Sequence, residues 1–190
     1  MTHEQQQIGI RSFLLPLAVS DCPENFVCLF SQNQVVEILD ARFVQYIPGS
    51  PGYLKGVVLY YDSLLPVIDL DELCNRRHAA RARRYRQLVV VRTGAVDPET
   101  GVALKAAVAA DVRVRIVKIS GKELAEAFEQ REVPPALGAS GLVRGCFRYE
   151  DNAIVLINLG PIVVGAYAAT WQKLVGNDGA RHLRQPDAVR

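Results

Sequence analysis

The chain has 190 residues, 49% of them hydrophobic, with 22 Lys and Arg against 20 Asp and Glu for a formal net charge of +2. These figures exclude a disordered, collagen-like or disulfide-dense chain, and so mild a charge excludes a protein that grips nucleic acid by overall charge alone. A chain of this length buries roughly 70% of its extended surface, so it needs no metal or disulfide to fold.

The start, Met1-Thr2-His3-Glu4-Gln5-Gln6-Gln7, is polar and acid-bearing, unlike the basic and then apolar start of a secretory leader. The sequence then runs in short, β-branched segments. Ser12–Val19, Phe26–Phe30, Val35–Leu39, Gly56–Tyr61 and Leu64–Ile68 read as strands. Asp69–Cys74 reads as one or two helical turns. Leu88–Val91, Lys105–Ala109, Val112–Ile119, Leu142–Phe147 and Ile154–Ile157 read as further strands. Within Val112-Arg113-Val114-Arg115-Ile116 the strict alternation predicts valines toward a core and arginines toward water. Ser120-Gly121-Lys122-Glu123 has the capping-box pattern, and Leu124, Ala125 and Phe128 supply an apolar stripe behind it. Pro48-Gly49-Ser50-Pro51-Gly52 and Asp97-Pro98-Glu99-Thr100-Gly101 are turn clusters. Ten or so short strands separated by turns predict a sandwich or barrel architecture.

Ala153 to Trp171 carries no charge across nineteen residues, close to the length of a spanning helix. Asn158 and Gly160-Pro161 interrupt its middle, so the run reads as a buried strand (Ala153–Asn158), a turn, and a short helix starting at Pro161. Cys22, Cys28, Cys74 and Cys146 form no C-x-x-C pair, which points to free thiols in a reducing cytosol rather than a metal site. The apolar pattern fades after Leu174, which predicts a mobile C-terminal tail.

The most informative feature is a repeat. Gly56 through Leu70 can be laid without gaps over Gly145 through Leu159, so that the glycines, Tyr60/Tyr149, Asp62/Asp151, Ile68/Ile157 and Leu70/Leu159 coincide. Each copy reads as a strand, a tight turn, a second apolar strand and an Asx residue starting a helical turn. Two readings fit: generic likeness between β-hairpins, or a duplicated lobe in which two small barrels share one core.

Val35-Val36-Glu37-Ile38-Leu39, Ile47-Pro48, Pro51-Gly52-Tyr53-Leu54-Lys55-Gly56-Val57-Val58 and Leu65-Pro66-Val67-Ile68-Asp69-Leu70 together resemble CheW-like domains, the coupling proteins of bacterial chemosensory arrays. Ala109-Ala110-Asp111-Val112 and Gly145–Leu159 extend the likeness more weakly. The resemblance implies a mainly β fold of two packed five-stranded SH3-like barrel lobes over residues 10–168, flanked by a polar N-terminal tail (1–9) and a C-terminal tail (169–190). It also implies a non-catalytic, cytoplasmic adaptor without cofactor or metal, whose partners are a histidine kinase regulatory domain and a chemoreceptor tip, with no nucleic acid and no membrane insertion. By position in the motif, partner contact falls on Val35, Gly56, Tyr61 and Asp62. Where the family hairpin reads Asn-Leu-Arg-Gly, this chain has Leu59-Tyr60-Tyr61-Asp62, so the family arginine is Tyr61, which cannot form a bidentate ion pair with a carboxylate.

No nucleophile elbow, Walker motif or dinucleotide fingerprint occurs, and the histidines at 3, 78 and 182 accompany no patterned nucleophile. Asp69, Asp71 and Glu72 sit where capping and helix-dipole interactions place acids. A rival signal is the basic run of Arg76, Arg77, Arg81, Arg83, Arg84 and Arg86, six arginines within eleven residues and no acid among them. It reads as a solvated loop or short helix between the lobes. Arg81, Arg83 and Arg84 join the candidate contacts for an acidic protein, and the alternative function is a small barrel that binds nucleic acid or another anion through this run.

Overall fold

A computed structural model of the chain describes residues 9–19, 22, 24–75, 84–120, 129–138, 140–169 and 172–173. The strands are β1 (Gly9–Leu17), β2 (Asn25–Ser31), β3 (Val35–Asp40), β4 (Leu54–Tyr60), β5 (Ser63–Ile68), β6 (Gln87–Val96), β7 (Ala103–Ala110), β8 (Arg115–Ser120), β9 (Glu129–Arg131), β10 (Val143–Tyr149) and β11 (Asn152–Ile157). Short helices α1 (Leu70–Asn75), α2 (Pro135–Gly138) and α3 (Gly160–Val163) follow β5, β9 and β11. Every segment read as a strand from the sequence overlaps one of these, and β9 is added. The uncharged run resolves into β11, a turn and α3, as its interruptions predict. The capping-box stripe at 121–128 and most of the C-terminal tail lie outside the described residues.

The strands form two sheets, ordered β8-β1-β2-β11-β10-β9 and β3-β6-β7-β5-β4. The second is built wholly from the middle of the chain and is inserted between β2 and β8 of the first, which is therefore split. The lobes repeat one plan. In the inserted lobe β3, β6, β7, β5 and β4 pair antiparallel, antiparallel, parallel and antiparallel. In the split lobe β8, β1, β2, β11 and β10 pair in the same succession. The split lobe runs through the same cycle of strands from a different starting point.

The two hairpins noted in the sequence occupy equivalent places and match in detail. Bulges fall between Leu54 and Gly56 and between Val143 and Gly145, which are aligned positions. The two-residue turns begin at Tyr61 and Glu150, also aligned, with left-handed φ of 50° and 52°. Duplication, rather than generic likeness, accounts for irregularities shared at the same positions.

Neither lobe is ringed by a continuous ladder. In the inserted lobe a single bridge joins Gln45, just beyond β3, to Val57 of β4 through reciprocal backbone bonds of 2.8 and 2.9 Å. In the split lobe β9 does the equivalent work, with Arg131 opposite Cys146, the residue aligned with Val57. The five-stranded lobes implied by the resemblance are present, with the split lobe gaining β9 as a sixth strand.

Period-two alternation divides the core into three. Val58, Tyr60, Leu65, Val67, Leu88, Val90, Ala107 and Ala109 fill the inserted lobe. Leu14, Val27, Ile119, Tyr149 and Ile154 fill the split lobe. The alternate residues of the same strands, among them Phe26, Cys28, Phe30, Val89, Val91, Val108, Val155 and Ile157, build the largest cluster between the lobes. Strands buried on both faces require the near-continuous apolar runs seen at 88–91 and 106–110. Polar ties cross the same interface: Asp71 of α1 accepts from the Ala18 N–H at 2.7 Å, and the Asn75 side chain donates to the Ala18 carbonyl. The Tyr53 and Tyr167 rings meet edge-on at 5.5 Å.

The alternation expected over 112–116 holds in part: Arg113 and Arg115 are exposed as expected. β8 begins only at Arg115, and its inward residues are Val117 and Ile119, opposite Ser12 and Ile10. Val112 and Ile116 are exposed, while Val114 packs against the shared core. A strand that starts later and at the sheet edge takes its parity from its partner β1 rather than from the residues preceding it.

Candidate functional site

The β4–β5 hairpin places its residues on two faces. Val58 and Tyr60 point inward with Leu65 and Val67, so Val57, Leu59, Leu64 and Pro66 share the opposite face. Leu59 and Leu64 oppose each other directly and are 68% and 65% exposed. The residues aligned with Val57, Leu64 and Pro66 in the split lobe are Cys146, Ala153 and Val155, and all three are buried in the shared core. In the split lobe this face is therefore covered except at Arg148, the residue aligned with Leu59, which is exposed and charged, whereas in the inserted lobe it leaves two leucines open. Phe43 and Tyr46, beside the Gln45 bridge, add further exposed aromatic surface.

The turn carries Tyr61 and Asp62, both exposed, with Tyr61 at 78%. The Tyr61 ring packs edge-on against Tyr60, with centroids 4.7 Å apart. The Tyr60 hydroxyl donates to Glu37 Oε2 at 2.9 Å, and Lys105 Nζ lies 5.7 Å from its ring centroid. Burial, reinforced by the Glu37 carboxylate, holds the Tyr60 hydroxyl above its ordinary range. Lys105 on β7 is directly opposite Arg92 on β6, whose guanidinium donates to the Asn33 carbonyl at 2.7 Å.

The other positions expected at a contact surface are distributed differently. Gly56 is buried, with φ of 139°, and a Cβ there would stand 2.1 Å from the Gln45 carbonyl oxygen. Close backbone approach at the Gln45–Val57 bridge therefore explains this glycine. Val35 is half-buried opposite Val91 and packs against the shared core. Arg84 is exposed, whereas Arg81 and Arg83 fall outside the described residues. The basic run does not connect the lobes: it joins α1, which follows β5, to β6, and both strands belong to the inserted lobe. Its far end is pinned by Tyr85, which donates to Asp69 Oδ2 at 2.6 Å, and by the Arg86 N–H, which donates to the Ala110 carbonyl at 2.7 Å.

Asp69 is itself buried and caps α1, accepting from the Glu72 N–H at 3.1 Å. Glu72 is buried against Lys55. Asn158, aligned with Asp69, accepts from the Gly160 N–H at 3.1 Å. These are the structural roles expected of acids at the start of a helical turn.

Leu59, Leu64 and Lys105 did not stand out in the sequence. The available signal was the unbroken apolar run Val57-Val58-Leu59-Tyr60, too apolar for a hairpin with only one face against its own core.

The four cysteines are free. Burial raises the Cys28 thiol strongly and pushes Cys74 up to about 12. Among the described residues no group of His, Cys, Asp and Glu is arranged to hold a metal, and no helix is long and apolar enough to cross a membrane. A cleft of about 430 Å³ in the split lobe, lined by Leu14, Pro16, Phe26 and Arg115 among others, contains none of the expected contact residues.

Residues 24–163 match the CheW-like domain family. No curated protein matches the chain. Among solved structures it is similar to the scaffolding protein TtCheW from Thermoanaerobacter tengcongensis, with a TM-score of 0.57 and 16% identity, covering 85% of this chain and 92% of that one.

Proposed function

The chain belongs to the CheW-like domain family, and on that premise we propose that it is a non-catalytic, cytoplasmic adaptor of a bacterial chemosensory pathway, coupling chemoreceptors to a histidine kinase. One observation carries the reading: Leu59 and Leu64, paired across the β4–β5 hairpin, are both apolar and open to solvent, while the aligned pair in the split lobe is an exposed arginine, Arg148, and a buried Ala153. Exposed leucines paired across a hairpin mark a surface that a partner covers. The tyrosine in place of the family arginine at position 61 removes a fixed cation from the turn and fits a divergent or pilus-type pathway.

The test is a binding titration of the full chain against the regulatory domain of the cognate kinase and against the receptor's cytoplasmic tip. Micromolar or tighter association with at least one is expected. Leu64→Asp, at an exposed position, abolishes it while the melting temperature stays within a few degrees. A folded wild-type chain that binds neither protein overturns the adaptor reading.

A further inference from the structure

We infer that Lys105 and Arg92, at the mouth of the inserted lobe beside the Tyr60–Tyr61 turn, form a docking point for a carboxylate side chain of the protein partner; this rests on the adaptor reading and names the partner's chemistry. Lys105 and Arg92 are direct cross-strand neighbours on β7 and β6. Like charges facing each other across a ladder repel, and a sheet relieves them by interleaving acids. Among the described residues neither cation makes an ion pair here. Glu37, the carboxylate on this mouth, accepts from the Tyr60 hydroxyl and offsets part of the positive charge without binding either cation directly. Arg92 is tied to a neutral carbonyl at Asn33, and among the described residues Lys105 meets the Tyr60 ring.

The aromatic contact fixes the place of the charge. A cation held near a ring face keeps its ammonium ordered while two or three of its N–H donors stay available. The Tyr61 ring, edge-on to Tyr60, forms the exposed wall beside it. A partner that covers Leu59 and Leu64 at this hairpin reaches the Tyr61 turn, so an acid next to apolar side chains is the complement this surface fits. A polyanion is a poorer match. With the six arginines of 76–86 set aside, 16 basic residues face 20 acidic ones, so the rest of the chain repels a phosphate backbone.

The experiment measures Kd for the kinase regulatory domain and for the receptor tip at two salt concentrations, using wild type, Lys105→Glu, Lys105→Gln, Lys105→Arg and Arg92→Gln. Lys105→Glu is expected to weaken at least one complex tenfold or more, with Lys105→Arg within about threefold of wild type. Lys105→Gln and Arg92→Gln are expected to flatten the salt dependence of the same complex. Should Lys105→Glu not fold, the Gln variants carry the test. Wild-type binding that Lys105→Glu and the Gln variants leave within twofold overturns the inference and leaves the adaptor reading standing. Absence of wild-type binding to either protein overturns both. A single-stranded oligonucleotide that binds wild type, and binds Lys105→Glu tenfold more weakly, overturns the carboxylate assignment in favour of phosphate.

Discussion

Gly56 lies so close to Gln45 that a methyl group on it would stand 2.1 Å from the Gln45 carbonyl oxygen, the same oxygen that accepts the Val57 N–H at 2.9 Å. The contact joins the segment beyond β3 to β4, so the inserted lobe's closure and the glycine depend on each other. The aligned Gly145 differs: the nearest atoms a methyl there would meet belong to the Phe147 ring, at 2.8 Å, and a ring can turn aside.

Gly56→Ala therefore faces both a φ of 139° and a backbone clash. It should cost about 2 kcal/mol or more, which for a chain of this size lowers Tm by roughly 4–8 °C. Gly145→Ala should cost about 1 kcal/mol or less. Thermal unfolding of the two variants side by side checks the pair, and equal losses would remove the distinction.

The Asp69 carboxylate joins the α1 N-terminus to Tyr85, and so ties the helix to the start of β6. Asp69→Ala loses the cap and leaves the Tyr85 hydroxyl without this acceptor, an expected loss of about 2–3 kcal/mol. Asp69→Asn should lose less, because Asn158 performs the same capping in the other lobe. A double-mutant cycle with Tyr85→Phe should give a coupling of about 1 kcal/mol, and additive losses would show that the 2.6 Å bond contributes nothing net.

Strand positions were legible because each strand carries its own record: β-branched residues between turn signals. The duplicated hairpin was legible because Gly56–Leu70 and Gly145–Leu159 keep the same residues at the bulge, the second inward position and the turn, and an Asx residue at the cap. What escaped depends on pairing between distant segments. β9 is three residues long and gains its identity from β10, and β8 takes its parity from β1. The nesting of one lobe inside the other is set by which edges meet, and no local pattern encodes that. At the surface, Tyr61 and Asp62 were reached by position in a motif. Lys105 was invisible because its significance comes from Arg92, thirteen residues earlier and directly opposite. Val35 and Gly56 stand in the same motif; Val35 packs against the shared core and Gly56 lies against the Gln45 carbonyl.

Burial makes stability fall with rising pH. Cys74 is pushed up from an ordinary 9.0 to about 12, and Cys28 is raised further, desolvation leading in both. A raised folded-state pKa means the stabilisation is complete below the unfolded pKa and is lost as pH climbs toward the folded one. Above about pH 9 each thiol should remove about 1.4 kcal/mol of stability per pH unit. Urea unfolding at pH 7, 9 and 10 checks this, with Cys28→Ala/Cys74→Ala flattening the decline. In the native state at pH 8, half-buried Cys22 should react with a thiol reagent, whereas Cys28 and Cys74 react only on unfolding.

Tyr61 separates surface from scaffold most sharply. Its side chain is 78% exposed, yet its backbone holds a φ of 50° that disfavours any residue but glycine, and Glu150 repeats that conformation at 52° in the other lobe. Tyr61→Ala should leave Tm within about 2 °C of wild type while weakening association with the kinase regulatory domain or the receptor tip about fivefold to fiftyfold, in the range of an exposed aromatic anchor. Tyr61→Gly should weaken binding equally and raise stability by up to about 1 kcal/mol through relief of the left-handed strain. Glu150→Gly then serves as the control: the same gain in stability with binding unchanged. If Tyr61→Ala instead unfolds the chain, the ring belongs to the lobe's packing through its 4.7 Å contact with Tyr60, and Tyr61 is not part of the docking surface.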